Sequence, residues 1–277
     1  MAVAEMATSG LAVRVVVGAL LIAVALAAVW AGGVAFTALI AVGALLMNAE
    51  WSVMHGIGRG FRLASLVLLA FTAGIAANLS AGQAVVVLAA GAGLLALFFR
   101  SYDLRRAFWL AAGLLYCGLP LIALIWLRGL PNLEIVTVAV LATVWATDIG
   151  AYFTGRALGG AKLAPSISPN KTWAGAVGGV VAAMVTATLF GVLARGHPIE
   201  GDDSFNWVIA SLAAVGGVLA IVAIGGDLFE SWLKRRAGVK DSGTILPGHG
   251  GVMDRLDGLV PVAVVAALLV AVSGIAR

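Results

Sequence analysis

The groups that could do chemistry are concentrated between Ser231 and Asp257. These 27 residues carry five Lys/Arg side chains (Lys234, Arg235, Arg236, Lys240 and Arg255), three aspartates, one histidine and five glycines. Apolar runs flank the block on both sides. A segment this charged between hydrophobic stretches has no packing reason to exist and suits a highly charged substrate. Just ahead of it, Asp227, Glu230, Ser231 and Lys234 fall at i, i+3, i+4 and i+7, one stripe of a helix that begins in an apolar run. Glu230 and Lys234 could simply pair along that helix, which leaves Asp227 needing another reason. Asp254 and Asp257 bracket Arg255 and share a face if a helix begins near Val252. Hard carboxylate oxygens are what Mg2+ takes. Asp227 and Asp254 are therefore read as carboxylates from neighbouring helices that hold metal bridging phosphates, with Asp257 beside them. Helix capping is the alternative for Asp254, and pairing with Arg255 or Lys240 the alternative for Asp257. His249 sits between Gly248 and Gly250-Gly251, where missing side-chain bulk lets backbone approach a ligand. It could bond a phosphate oxygen, protonate departing pyrophosphate, or brace the loop through a backbone carbonyl.

Two polar groups lie upstream. Asp148 is well inside an apolar run, where a carboxylate is costly and should face the bundle interior or a wet cavity. Tyr152 and Gly155 follow on the same helical face; a structural contact between helices is the alternative. The segment Ala164-Pro-Ser-Ile-Ser-Pro-Asn-Lys-Thr-Trp173 is kept non-helical by Pro169, with Asn170 placed to cap the next helix and Lys171 and Thr172 in its first turn. Exposed N–H groups there, with Lys171, favour phosphate, although Ser-Pro-Asn is also ordinary turn chemistry. Carboxylates able to hold metal beside a dense cationic array match phosphoryl or nucleotidyl transfer. The Gly-x-x-x-x-Gly-Lys-Ser/Thr loop of P-loop enzymes is absent, as is a Ser–His–Asp arrangement. A phosphate monoester needs neither, because it is ionised near neutral pH and attacks phosphorus itself. A membrane site of this kind suits a lipid phosphate reacting with a soluble nucleotide.

The elements that must position these groups are membrane helices. The chain is 62% hydrophobic and 11% charged over 277 residues, with mean hydropathy +1.09, against about 25% charged residues in soluble domains. Continuous apolar runs, rather than weak alternation, exclude an outer-membrane barrel. The expected fold is all-α and polytopic, with about nine transmembrane helices near 12–30, 33–50, 62–79, 83–99, 108–127, 133–154, 172–194, 207–230 and 257–276. Residues 1–140 form an N-terminal scaffold of about five helices; 141–277 form the catalytic region, with polar loops 155–171 and 231–256. On this division 14 of the 17 Lys/Arg residues fall on one side. The positive-inside rule makes that side cytoplasmic, the N-terminus included. Leu11–Trp30 is long enough to span and is read as a retained helix rather than a signal peptide. Cys117 is alone, so no disulfide forms within the chain; an inert buried thiol is expected. His55 and His197 read as surface residues. Paired glycines at 178–179, 216–217 and 225–226 suit close helix contacts, the last with a local break beside Asp227, and Pro120 suits a kink. The net charge of +4 comes without a basic soluble domain or a stacking module, which argues against nucleic acid.

Together, Ser231-x-x-Lys234-Arg235, Lys240-Asp241, Gly243, Leu246-Pro247, His249-Gly250-Gly251 and Asp254-Arg255-x-Asp257 resemble the C-terminal signature of the phosphatidate cytidylyltransferase (CDP-diacylglycerol synthase) family. Asp227-Leu-Phe-Glu-Ser231, Asp148-Ile-Gly-Ala-Tyr152 and Ser168-Pro-Asn-Lys-Thr172 are similar to its upstream motifs. The detailed resemblance spans roughly 145–260, and the earlier residues match only in being membrane helices. It implies the reaction CTP + phosphatidate → CDP-diacylglycerol + pyrophosphate at the cytoplasmic face of the cell (inner) membrane, by a homodimer. It also implies Mg2+ bound at Asp227 and Asp254, with a potassium ion alongside. On this reading the catalytic set is Asp227, Asp254, Asp257, Lys234, Arg235 and His249. The substrate-binding set is Asp148, Ser168, Asn170, Lys171, Ser231, Lys240, Asp241 and Arg255. The competing classes are an anion transporter, which requires a path to both faces, and a CTP- or ATP-dependent lipid-alcohol kinase, which transfers the γ-phosphate.

Overall fold

The computed structural model describes residues 2–131, 133–195, 203–245 and 250–273. Away from water a long apolar run satisfies its backbone N–H and C=O groups within itself, so the runs become helices. They are α1 (Ala2–Ala31), α2 (Gly33–Met54), α3 (Arg59–Asn78), α4 (Ala81–Phe99), α5 (Leu104–Gly129), α6 (Glu134–Leu158), α7 (Trp173–Arg195), α8 (Asp203–Arg236), the one-turn α9 (Met253–Leu256) and α10 (Leu259–Ser273). Seven of them, α2 to α8, are long and apolar enough to cross a membrane; Val16–Ala31 and Leu259–Ser273 are apolar but shorter. Length and composition thus support seven of the nine expected spans among the described residues. The all-α expectation holds apart from one small addition. The gap between α6 and α7 contains an antiparallel pair, β1 (Lys162–Ala164) and β2 (Ser168–Thr172), with Lys162 opposite Thr172 and Ala164 opposite Ser168. Two prolines keep this stretch from extending α7, so its backbone groups pair with each other instead.

The chain divides into two compact units, Met1–Gly129 with Val239–Arg255, and Leu130–Gly238 with Leu256–Arg277. The boundary expected near residue 140 separated scaffold from catalysis; by compactness, the loop after α8 groups with the N-terminal helices.

In the first unit α2, α3, α4 and α5 pack together, with α1 against α2. Some of the buried polar side chains pair across helices, as low-dielectric surroundings favour. Ser65 on α3 donates to Asn48 Oδ1 on α2 at 2.7 Å, and Trp51 Nε1 donates to the Trp109 carbonyl of α5 at 2.8 Å. His55 is not a plain surface residue. It stacks against the rings of both Trp51 and Trp109, at centroid distances of 4.5 and 4.2 Å, and is half-buried. Cys117 is buried and free, as expected. Pro120 is buried within an α5 that runs on past it.

In the second unit α6 packs on α7, α7 on α8, and α10 on both α8 and α6. The α6–α7 contact is close because its residues are small. A Cβ on Gly150 would come 2.8 Å from the Gly178 carbonyl oxygen, and one on Gly179 would come 2.8 Å from that of Thr147. Gly216 meets the Ala183 carbonyl and Gly226 meets Pro261 in the same way, which is the expected use of the glycine pairs. The local break expected beside Asp227 does not occur, since α8 continues to Arg236. It stops where Gly238, at φ +75°, adopts a left-handed conformation that ends a helix at no Cβ cost.

Candidate active site

The stripe read from spacing is present on α8. Asp227, Glu230, Ser231 and Lys234 lie on one helix, and Lys171 of β2 reaches across to ion-pair with Asp227 Oδ2. Both partners are about a quarter exposed, at 26% and 28%. Ser231 Oγ donates to Asp227 Oδ1 at a long 3.4 Å. One turn on, Lys234 Nζ stands 3.4 Å from Oε1 of Glu230, whose side chain is wholly buried. That pairing is the structural alternative read for Glu230, and losing either partner would strand a largely buried charge.

Asp257 joins this cluster from the entry to α10. Its carboxylate accepts from the Gly258 N–H at 2.7 Å. Burial pushes its pKa from 3.8 up to about 6, the negative charge of Asp227 adds to the rise, and Asp148 adds less; hydrogen bonds with Glu230 and Gly258 oppose it. Asp148 belongs to the same electrostatic neighbourhood, but it is exposed on α6 rather than enclosed in the bundle interior. Beside it Tyr152 accepts a hydrogen bond from Arg156 Nη1 at 3.1 Å.

Several local expectations are corrected. Asn170 does not cap α7. It is exposed in β2, and Thr172 Oγ1 accepts from the Gly175 N–H at 3.1 Å in the capping position instead. Lys171 lies in β2, not in a helical first turn, and Ser168 is half-buried at the other end of that strand. Asp254 and Asp257 do not share a helical face, because α9 ends at Leu256.

In the first unit Asp254 ties its own loop together. Its carboxylate accepts from the Ser242 N–H at 3.0 Å and from the Gly251 N–H at 2.8 Å, so it is not a helix cap. Gly250 sits at φ +80°, and a Cβ there would come 2.7 Å from Asp254 Oδ2. Two independent reasons therefore favour glycine. Lys240, Asp241 and Arg255 are exposed in this segment, and Arg235 is exposed at the end of α8. His249, with Leu246 and Pro247, lies outside the described residues.

A model of the cytidylyltransferase family matches residues 12–273. The chain belongs to that family. It is 42% identical over 262 residues to a phosphatidate cytidylyltransferase of Brucella suis biovar 1 (strain 1330), covering 92% of this chain and 91% of the relative. A phosphatidate cytidylyltransferase of Bacillus subtilis (strain 168) is 51% identical over 114 residues, 41% of this chain and 39% of its own length. One from Haemophilus influenzae (strain ATCC 51907 / DSM 11121 / KW20 / Rd) is 47% identical over 117 residues, 42% and 38% of the two chains. A family match over nearly the whole chain includes the N-terminal helices, which resemblance of motifs alone left aside.

The residue that reading motifs missed is Glu50, near the end of α2. It is 4% exposed, and its carboxylate accepts from Val252 N–H at 2.8 Å, Met253 N–H at 2.9 Å and Ser242 Oγ at 2.9 Å. A signal was there to be found: Glu50 closes an apolar run, and the argument from membrane cost applied to Asp148 and Asp227 applies equally to it.

Asp257 yields a prediction in the metal-free protein. A carboxyl whose folded pKa exceeds its unfolded value favours folding fully only while protonated, below about 4. That contribution is lost as pH rises through about 6. Asp257→Asn mimics the protonated form. With EDTA present it should unfold at higher temperature than the wild type at pH 7, and the advantage should vanish near pH 4. Equal midpoints for the two proteins at pH 7 would refute the raised pKa.

Proposed function

We propose that this enzyme, a nucleotidyltransferase, transfers CMP from CTP to phosphatidate, giving CDP-diacylglycerol and pyrophosphate. The observation that carries the reading is the Lys171–Asp227 pair, standing among Ser231, Glu230–Lys234 and Asp257 where an apolar helix ends in three consecutive cations. The full-length likeness to enzymes of that name supports it. A phosphatidate oxygen attacks the α-phosphorus of CTP, and the bond to the pyrophosphate oxygen breaks. The lipid phosphate is already ionised, so no side chain need remove its proton. Lys171, Lys234, Arg235, Lys240 and Arg255 neutralise phosphate oxygens as charge moves to the leaving group. Asp148, Ser168, Asn170, Ser231 and Asp241 bind and orient the substrates.

Among the described residues no three His, Cys, Asp or Glu side chains converge on one metal position. That fits Mg2+, which takes one or two carboxylates and completes its shell with water and substrate phosphates, better than it fits a metal caged by protein alone. Asp227 and Asp254 are the proposed ligands, and Mg2+, with K+ alongside, would supply charge neutralisation at the phosphates. Lys171 is ion-paired with Asp227, and a bound phosphate would offer it an alternative partner. The cationic side of the helices, holding 14 of the 17 Lys/Arg residues, is proposed to face the cytoplasm of the cell membrane, with the N-terminus there, and the enzyme to work as a homodimer.

The test is incubation of purified protein with α-labelled CTP, phosphatidate and Mg2+, followed by lipid extraction. Label in the lipid product supports the reading; label transferred only from γ-labelled CTP would make the protein a kinase. In the same assay Lys171→Met should lower kcat/KM for one or both substrates by about a hundredfold, the scale expected when a transition state is deprived of one charge-assisted bond to phosphate. Unchanged kcat/KM for both would reduce Lys171 to the structural partner of Asp227.

A further inference from the structure

We infer that Glu50, in the N-terminal helices, is a positioning residue for the reaction: it holds Ser242 and residues 251–254 in their working arrangement. The inference rests on the proposed cytidylyl transfer for its activity readout only. Three donors from two parts of one loop converge on this single carboxylate, the Val252 and Met253 N–H groups on one part and Ser242 Oγ on the other. The loop is also shaped around it. A Cβ on Gly243 would come 2.7 Å from Glu50 Oε1 and one on Gly251 2.5 Å from Oε2, so both glycines let backbone close over the carboxylate.

Asp254 completes the arrangement. It bonds the N–H groups of Ser242 and Gly251, so Ser242 is held by Asp254 through its N–H and by Glu50 through its hydroxyl. Of residues 251–253, Gly251 is held by Asp254, and Val252 and Met253 are held by Glu50. Asp254 is thereby fixed in place by a residue about two hundred positions earlier in the sequence, and α2 acts as the platform for it. A carboxylate is the one side chain that can accept all three bonds at once. Glutamine keeps one acceptor oxygen but turns an NH2 donor toward backbone N–H donors, and alanine keeps none.

The experiment compares wild type, Glu50→Gln, Glu50→Ala and Ser242→Ala in detergent, by amide hydrogen exchange and by labelled-CTP kinetics. Exchange at 242 and 251–254 should quicken in Glu50→Ala, less in Glu50→Gln, and least in Ser242→Ala, while amides of α3 and α4 stay protected. kcat should fall in the same order, by about tenfold for each bond to the carboxylate that is removed, with KM for CTP changing much less. Unaltered exchange at 251–254 in Glu50→Ala would overturn the inference, and so would faster exchange throughout α3 and α4, which would make Glu50 a general stabiliser of the bundle. Normal kcat in Glu50→Ala despite a loosened loop would overturn it as well. A wild type that makes no labelled lipid would refute the proposed reaction while leaving the exchange comparison intact.

Discussion

Asp227→Asn is expected to reduce CDP-diacylglycerol formation roughly a thousandfold, the scale of removing a centre of transition-state charge stabilisation. Two losses combine in this variant. The proposed metal loses a ligand charge, and Lys171 loses the anion with which it is ion-paired. Asparagine is nearly the same size, so α8 and its packing should persist. The substitution also removes the second-largest cause of the raised pKa at Asp257. In the chelated protein that pKa should fall from about 6 toward its ordinary range, with burial still keeping it high. Turnover within tenfold of wild type at limiting Mg2+ would take Asp227 out of the site. Either outcome counts only if the variant keeps its membrane fold and unfolds thermally like the wild type.

Asp254→Asn should have an effect of similar size for a different structural reason. The amide keeps an oxygen that can accept from Ser242 or Gly251 N–H, so the loop should largely retain its form. What disappears is the charge. A loss of roughly a hundredfold or more in kcat, with amide protection at 251–253 preserved, would assign that loss to metal or phosphate chemistry. Asp254→Ala removes both the charge and the ties, so it should lose the protection as well. Near-normal kcat in Asp254→Asn would leave Asp254 as a loop tie alone.

Much of this was legible in the residues themselves. Long apolar runs allow one backbone solution in a membrane, so α2 to α8 follow from composition and length, with ends displaced by a few residues where polar side chains continue a helix past the hydrocarbon. The Asp227–Lys234 stripe is a matter of helical period, which depends only on local geometry. Its Glu230–Lys234 pair, four apart, was equally readable. Lys171 was marked as a cation near the chemistry, but its pairing with Asp227 was not readable, because 56 residues separate the two. Only the packing of α7 on α8 brings the hairpin to that helix. The hairpin itself was hidden: prolines excluded helix over that stretch without specifying which backbone groups would pair.

Asp254 and Glu50 mark the sharpest division. Sequence could say that Asp254 needed a role, and its proximity to Asp257 suggested a shared helical face, which the early end of α9 removes. Glu50 lay at the edge of an apolar run with nothing nearby to explain it. Its three partners are backbone and side-chain donors about two hundred residues downstream. Hydrogen bonds to a carboxylate from backbone N–H groups carry no residue-type signature in the partner, so no pattern in the chain could announce them. Periodicity and composition decided which helices form and which face of α8 is polar. Tertiary structure alone decided which distant carboxylate shapes the loop, because that choice depends on where folding brings otherwise unmarked backbone.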